Sequence, residues 1–582
     1  MKKNFILSLL LAGGLSLFAQ VQLPPPVKSA VSHSRIDERA RAYLSPTRIV
    51  WKYDGDGLLI KNIETLLKPG DNQAFTSSEN CCIMRSTANQ TPSILLDFGT
   101  ELQGGISLIT GAAGGVKVRI RFGESASEAM AEIDGKNGAS NDHAMRDFTI
   151  TLPWMGAIEV GNSGFRFVRI DLVDANAEVA LREVQAIFMY RDIPYIGSFK
   201  SNDERLNQIW ATGAYTVHLN MQDFLWDGIK RDRLVWHGDL YPEVMTISAV
   251  FGANEVVPKS LDYGSETTPL PQWMNGISAY SMWWMLNQRD WYYSHGNLDY
   301  LKKQREYVVG LLNRLLQKVD ENGKEQLDGW RFLDWPTSRD PEIVEAGLQA
   351  LITLAVEAGV DICRALGEKE MEQKCVEKLK AMRTQTPDAR NNKQAAALLS
   401  LSGLQDAQAM NTIIGRDGAE GFSTFYGYFM LLAMAKAGDY DGALNSIRSY
   451  WGGMIDLGAT TFWEDFDLKW MENAGRIDDL VPDDKVDVHA VYGDYCYKGF
   501  RHSFCHGWAA GPTAWLSRYV LGVEVIEPGC KTVRILPNLG DLEWVEGSYP
   551  TPYGTIKIRH EKRPDGKIAS KIDAPSGVKV VR

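Results

Sequence analysis

The sequence predicts a multidomain α+β protein in which a central helical domain is flanked by N-terminal and C-terminal antiparallel β domains. Three observations carry that expectation. At 582 residues the chain exceeds what one hydrophobic core serves, so two to four domains are expected. Its hydrophobic pattern has a period of two over the first third, 3.6 through the middle and two again at the end. No helical crossover separates the early strands, which argues for antiparallel pairing.

In chain order, residues 1–20 (MKKNFILSLLLAGGLSLFAQ) join Lys2 and Lys3 to an apolar stretch and a small residue at Ala19. That is the form of a cleavable export signal, too short and wrongly flanked to span a membrane, so a periplasmic or secreted protein is expected. Residues 21–197 are expected to be a linker rich in proline (Pro24, Pro25, Pro26) followed by a β-sandwich. Its runs SILLDFGTELQGGISLITG, KVRIRFGES, RDFTITLPW, FRFVRIDLV and ALREVQAIFMYRD are divided by Gly, Asn and Asp clusters, with Gly104-Gly105 read as turn chemistry. Residues 198–522 then follow a helical period. Ser201 and Glu204 suggest a capping box, and helices are expected over 298–319, 342–366 with Gly367 as a stop, 368–383, 394–401, 425–436 and 440–450. Ten to twelve helical segments suit a toroid of two concentric layers better than a four-helix bundle. Residues 523–582 return to strands, with Pro537, Gly540, Pro550 and Gly554 at turns.

A net charge of −11 and a pI near 5.5 argue against nucleic acid as a partner. Past the leader no apolar run of about 18 residues suggests a membrane span. Seven cysteines make no disulfide framework in a chain of this size; Cys496 and Cys505 are the one pair whose spacing suggests a bridge. No metal-ligand spacing, nucleotide loop or serine-hydrolase elbow is present, and no Asp/Asn run is dense enough for calcium, so no cofactor and no metal are expected.

The chemistry concentrates between Phe224 and Glu243, FLWDGIKRDRLVWHGDLYPE. Three aspartates, a glutamate, basic groups and two tryptophans make a poor core but a good floor for a sugar, with aromatic faces for rings and charged groups for hydroxyls. The competing reading is an ion-paired loop beneath a helical domain. Trp283-Trp284 and Trp330 could line the same cleft, although tandem tryptophans on a helix place at least one in the core.

Four stretches resemble glycoside hydrolase family 78, the α-L-rhamnosidases, in the family's order. DGIKRDRLVWHGD (227–239) resembles its Asp-x-x-x-Arg-Asp-Glu-Arg-x-Gly-Trp-x-Gly-Asp signature. GATTFWEDFD (458–467) resembles Gly-Ala-Thr-Thr-x-Trp-Glu-x-x-Asp, and the run from Ser503 through the Pro-Gly step into the last sheet resembles the family's C-terminal passage. FLDWP, around Asp334 and Trp335, is similar to another family loop. The resemblance implies an (α/α)6 barrel holding the site and hydrolysis with inversion. It implies Glu464 as general base, walled by Trp463, and sugar contacts from Asp227, Arg231, Trp236, Asp239, Asp334, Trp335 and His506.

This chain departs from the signature at one place: it lacks one residue between Asp232 and Arg233, where the family carries its general-acid glutamate. Three readings stand open. Asp232 shifts into the vacant place, since one residue is worth up to about 3.8 Å; Glu243 or Asp239 donates the proton; or the protein does not hydrolyse. The expected function is therefore that of an exported, inverting α-L-rhamnosidase acting on an oligosaccharide or glycoside. The alternatives are a carbohydrate-binding protein without hydrolysis and an inverting hydrolase of another sugar, fucose or a uronic acid.

Overall fold

A computed structural model of the chain describes residues 24–30, 36–133 and 137–582; the expected export signal lies outside them. The N-terminal domain holds strands β1 (Ala40–Leu44), β2 (Arg48–Tyr53), β3 (Ile60–Lys61), β4 (Cys82–Arg85), β5 (Ser93–Thr110), β6 (Lys117–Gly123), β7 (Asp147–Thr151), β8 (Ala157–Leu172) and β9 (Glu178–Tyr190). Their path is β3-β4-β9-β5-β8-β6-β7, with β1 added on β9, β2 on β5 and every pair antiparallel. The apolar faces of these strands enclose their own core, around Ile94, Leu96, Phe122, Phe165 and Val168.

Gly104 and Gly105, expected in a turn, lie inside β5 at a bulge. Gly104 has φ +145, and a Cβ there would sit 1.9 Å from the carbonyl oxygen of Ile187. Two glycines mark a turn and a close backbone approach alike, because both exploit the missing Cβ.

Helices occupy 204–515, among them Glu204–Asn220, Leu240–Val250, Val256–Thr267, Ser278–His295, Pro341–Leu366, Lys369–Met382, Lys393–Ser402, Gly427–Lys436 and Tyr440–Asp456. The expected helix over 298–319 is two, Leu298–Lys303 and Arg305–Gln317, meeting at Gln304. Gly367 does stop the long helix, in the left-handed conformation at φ +76. Ser201 is not an N-cap: it ends strand β10 (Ser198–Ser201), and Asp203 caps the next helix by accepting from the amides of Arg205 and Leu206. Ser278–His295 gives no periodic signal because most of its circumference is buried, Trp283 and Trp284 included. Among the described residues, Pro341–Leu366 alone is long and apolar enough to cross a membrane, and it is largely buried against neighbouring helices.

The C-terminal strands are β11 (Val523–Val525), β12 (Thr532–Ile535), β13 (Trp544–Thr551), β14 (Gly554–Lys562), β15 (Ile568–Asp573) and β16 (Lys579–Val581). They form sheets β10-β13-β14-β15 and β11-β12-β16. The helices and these sheets share one continuous core that includes Val533, Val545 and Ile556. β10 crosses a sequence-based boundary because it pairs with β13, about 350 residues away. All seven cysteines are free; Cys505 is buried beside Asn220, whereas Cys496 is exposed, so the expected bridge does not form.

Candidate active site

The charged loop after Glu204–Asn220 is pinned by its backbone to the segment 503–507. Asp227 accepts at its carbonyl from the Gly507 amide (2.8 Å), and Gly228 pairs with His506. Asp227 also closes its own loop, its side chain accepting from the Leu234 amide (2.9 Å). The missing residue is absorbed at the tip. Arg233 donates its amide to the Arg231 carbonyl (2.8 Å) in a three-residue turn, with Asp232 and Arg233 both at φ +54. Left-handed backbone at non-glycine residues costs about 1–3 kcal/mol each and persists only where surroundings impose it.

That turn aims Arg231 between two carboxylates. Its guanidinium donates to Asp232 Oδ1 (3.0 Å) and to Glu464 Oε1 (2.5 Å), so that one fork bridges the two acids. Glu464 is buried, accepts a second hydrogen bond from the Ser503 amide (3.2 Å), and is fixed at its carbonyl by Trp508 and Thr424. Burial pushes its carboxyl up and Arg231 opposes that rise. Asp232 keeps 20% of its side chain accessible, accepts from the Trp236 indole (3.2 Å) and lies 3.4 Å from His143 of the N-terminal domain.

Behind this pair, His506 Nε2 faces three carboxylates: Asp227 at 3.6 Å, and Asp239 and Glu464 at 3.9 Å each. These gaps are too long for direct hydrogen bonds and leave room for a group that both donates and accepts. Burial and Arg231 keep the imidazole neutral, while burial and the neighbouring carboxylates Asp232 and Glu464 push Asp227 and Asp239 well above the usual carboxylate range. Tyr280 donates to Asp239 (2.8 Å) and orients it. By geometry Asp227, Asp239 and His506 could also hold a cation. A second such group, Glu124, Glu128 and His489, already surrounds the Lys230 ammonium at 3.3, 3.0 and 3.5 Å.

Other expected site residues fall elsewhere. Trp463 has no accessible surface and stacks on Phe504 at 4.1 Å, so it backs Glu464 and offers no face to a ring. Glu243 is fully buried with both carboxyl oxygens unpartnered, packed where a Cβ on Gly507 would stand 2.2 Å from its Cδ. Asp334 is buried too, accepting from the Trp335 amide and Ser423 hydroxyl. It organises a loop whose Trp335 stacks on Tyr495 (5.4 Å) beside the half-exposed Trp330. Trp283 and Trp284 belong to the core. Sequence reasoning missed His143, Tyr280, Tyr495 and Lys230 as parts of the site. His143, Tyr280 and Tyr495 lie far from the motifs in sequence, so no local signal marks them, whereas Lys230 sits inside the 227–239 motif and only its buried partners are hidden from the sequence.

The buried titratable groups pull stability in opposite directions as pH changes. His237 and His295, both held near 3 by burial, bind fewer protons folded than unfolded, so stability is lost as pH falls below about 6.5. Glu124 and Asp465, both near 7, bind more protons folded than unfolded, so stability declines as pH rises from about 4 through 7. Glu243, raised well above its ordinary value, extends that decline to higher pH. Thermal melts from pH 5 to 9 check this: Glu243→Gln is expected to raise the Tm at pH 8 by several degrees more than at pH 5, and an equal effect at both contradicts it.

Comparison with known proteins follows the same outline. Residues 194–384 match the family described as bacterial alpha-L-rhamnosidase 6 hairpin glycosidase domain, and residues 522–581 match the bacterial alpha-L-rhamnosidase C-terminal domain. An alpha-L-rhamnosidase of Formosa agariphila is 26% identical over 199 residues, which is 32% of this chain and 18% of that protein. Among solved structures, the family 78 rhamnosidase of Bacillus sp. GL1 superposes with a TM-score of 0.72 at 22% identity, over 89% of this chain and 55% of that one. A Klebsiella oxytoca rhamnosidase with rhamnose bound superposes with a TM-score of 0.66 at 17% identity, over 83% and 96%. This chain therefore spans about a fifth of the Formosa protein and about half of the Bacillus one. The chain thus carries two stretches that match bacterial α-L-rhamnosidase domains, on a fold similar to that of solved family 78 rhamnosidases.

Proposed function

We propose that the protein is an exported, periplasmic or secreted glycoside hydrolase that removes a terminal α-L-rhamnoside from a glycan with inversion. Its helices close as an (α/α)6 barrel over 198–522, with the β domains 21–197 and 523–582 buttressing it. Asp232 donates a proton to the glycosidic oxygen as the bond from that oxygen to the anomeric carbon breaks. Glu464 takes a proton from the water that attacks the same carbon from the opposite face, and proton exchange with solvent resets both groups. Asp227, Asp239 and His506 hold ring hydroxyls in the gaps around the neutral imidazole, and Trp236 borders the ring. No cofactor takes part.

The observation that carries this reading is the Arg231 fork, which holds an accessible acid and a buried base on either side of one guanidinium. Inversion needs carboxyls about 6.5–9.5 Å apart, which leaves room for the attacking water. Of the three candidate acids, Asp232 alone keeps accessible surface beside Glu464, since Glu243 is enclosed and Asp239 is held by Tyr280. The bound rhamnose of the Klebsiella relative supports the choice of sugar. The competing reading, sugar binding without hydrolysis, draws on Asp232 already accepting from Arg231 and Trp236.

Aryl rhamnosides of graded leaving-group ability separate the two. Asp232→Asn is expected to be nearly silent on 2,4-dinitrophenyl rhamnoside and to cost about 10²–10⁴-fold on a poor leaving group. A uniform loss across the series removes Asp232 as the acid, and wild-type binding without turnover favours the competing reading. The pH profile supplies a further check. Glu464 must be ionised to act as base, so the acidic limb lies above the ordinary glutamate value, and Arg231→Gln is expected to move it up by about 1–3 pH units. An unmoved limb contradicts the pairing.

A further inference from the structure

Two adjoining chambers, of about 400 and 270 Å³, open between the helical domain and the C-terminal sheets. Their lining is separate from the residues placed at the candidate active site. Tyr241, Arg289 and Arg518 line both chambers. One side carries the partly exposed rings of Tyr440 and Tyr519, 6.2 Å apart, backed by the buried stack of Trp283, Phe429 and Tyr241. Arg518 lines both chambers and keeps 42% of its side chain accessible.

The open hydrogen-bonding capacity here is mostly that of donors. Among the described residues Arg518 makes a single side-chain hydrogen bond, from Nη2 to Glu524 (3.2 Å), and Arg289 spends only Nε and Nη2, on Asp290 (2.7 and 3.0 Å). The hydroxyls of Tyr428 and Tyr549, side chains only 2% and 8% exposed, line the chamber near Arg518 and make no hydrogen bond among the described residues. Three carboxylates neighbour them, each partly engaged: Asp290 also accepts from Tyr241 (2.6 Å), Glu524 from Arg534 (2.9 Å) and Asp361 from Arg364 (3.3 Å). Two guanidiniums with free N–H groups and two free hydroxyls suit a carboxylate, and an apolar ring wall beside them suits a pyranose.

We propose that this chamber is a second carbohydrate site, selective for a sugar that carries a carboxylate, a uronate unit. Arg518 and Arg289 grip the carboxylate, Tyr428 and Tyr549 donate to ring or linkage oxygens, and the partly exposed rings of Tyr440 and Tyr519 border the sugar.

Titration calorimetry with methyl β-D-glucuronide as probe tests this on the intact chain, with methyl β-D-glucoside and acetate as comparators. Glucuronide is expected to bind at least about tenfold more tightly than either comparator. Arg518→Met is expected to weaken it about tenfold or more, and Glu464→Gln to leave it unchanged. The isosteric Tyr428→Phe, expected to weaken it severalfold, keeps the test open if Arg518→Met folds poorly. Absence of glucuronide binding, equal binding of acetate, or binding lost in Glu464→Gln and kept in Arg518→Met would each overturn the proposal. None of these outcomes bears on rhamnoside hydrolysis.

Discussion

On the proposed mechanism, Glu464→Gln is expected to lower the turnover of an aryl α-L-rhamnoside by about 10²–10⁴-fold, the contribution of a positioned general base. The substitution keeps the shape of a side chain held by Arg231 and the Ser503 amide, and removes the charge that takes a proton from water. The loss therefore falls on kcat, with KM little changed, and it persists on good leaving groups, where an acid would matter little. Circular dichroism separates a chemical loss from a folding loss. A variant that folds and retains more than about a tenth of wild-type kcat removes Glu464 from the base role.

Lys230→Met destabilises the protein by about 3–5 kcal/mol, the usual cost of leaving a buried charge without its partner. The Lys230 ammonium lies between Glu124 and Glu128 and donates to the His502 carbonyl (2.6 Å), joining the N-terminal sheet domain to the active-site loop. Glu124 in turn accepts from the Phe504 amide (2.6 Å) and the Ser503 hydroxyl, two residues from His506. Loss of the cation thus loosens both sides of the site. The cost is smaller at pH 5 than at pH 8, because Glu124, pushed up to about 7 by burial, is neutral at the lower pH. Urea unfolding at the two pH values reads this directly, and a difference below about 1 kcal/mol at pH 8 contradicts a joining role.

The fold was legible wherever one face of an element is buried. Strands such as Lys117–Gly123 and helices such as Lys369–Met382 show their period in the sequence because the exposed face is polar. Ser278–His295 and Leu240–Val250, buried on nearly all sides, have no polar face to set a period. Strand β10 was hidden for another reason, since its partner is about 350 residues distant.

Within the site, motif residues were readable by type but not always by direction. Trp463 and Glu464 are adjacent, yet only the carboxylate faces Arg231 while the indole turns into the core. Glu243 looked like an acid with reach, but its helix directs it against Gly507. The missing residue at the loop tip was visible in the sequence. Its structural answer, two left-handed residues and a shared guanidinium, depends on Glu464, a contact 233 residues away.

The anomeric form of the first sugar released is the most direct measure of the Asp232–Glu464 pair. Proton NMR during the first minutes of methyl α-L-rhamnoside hydrolysis is expected to show the β-anomer ahead of mutarotation, as attack by water opposite the leaving group requires. Initial release of the α-anomer would mean a covalent intermediate and a different pair of carboxylates, and absence of any release would mean that the shortened loop does not deliver an acid.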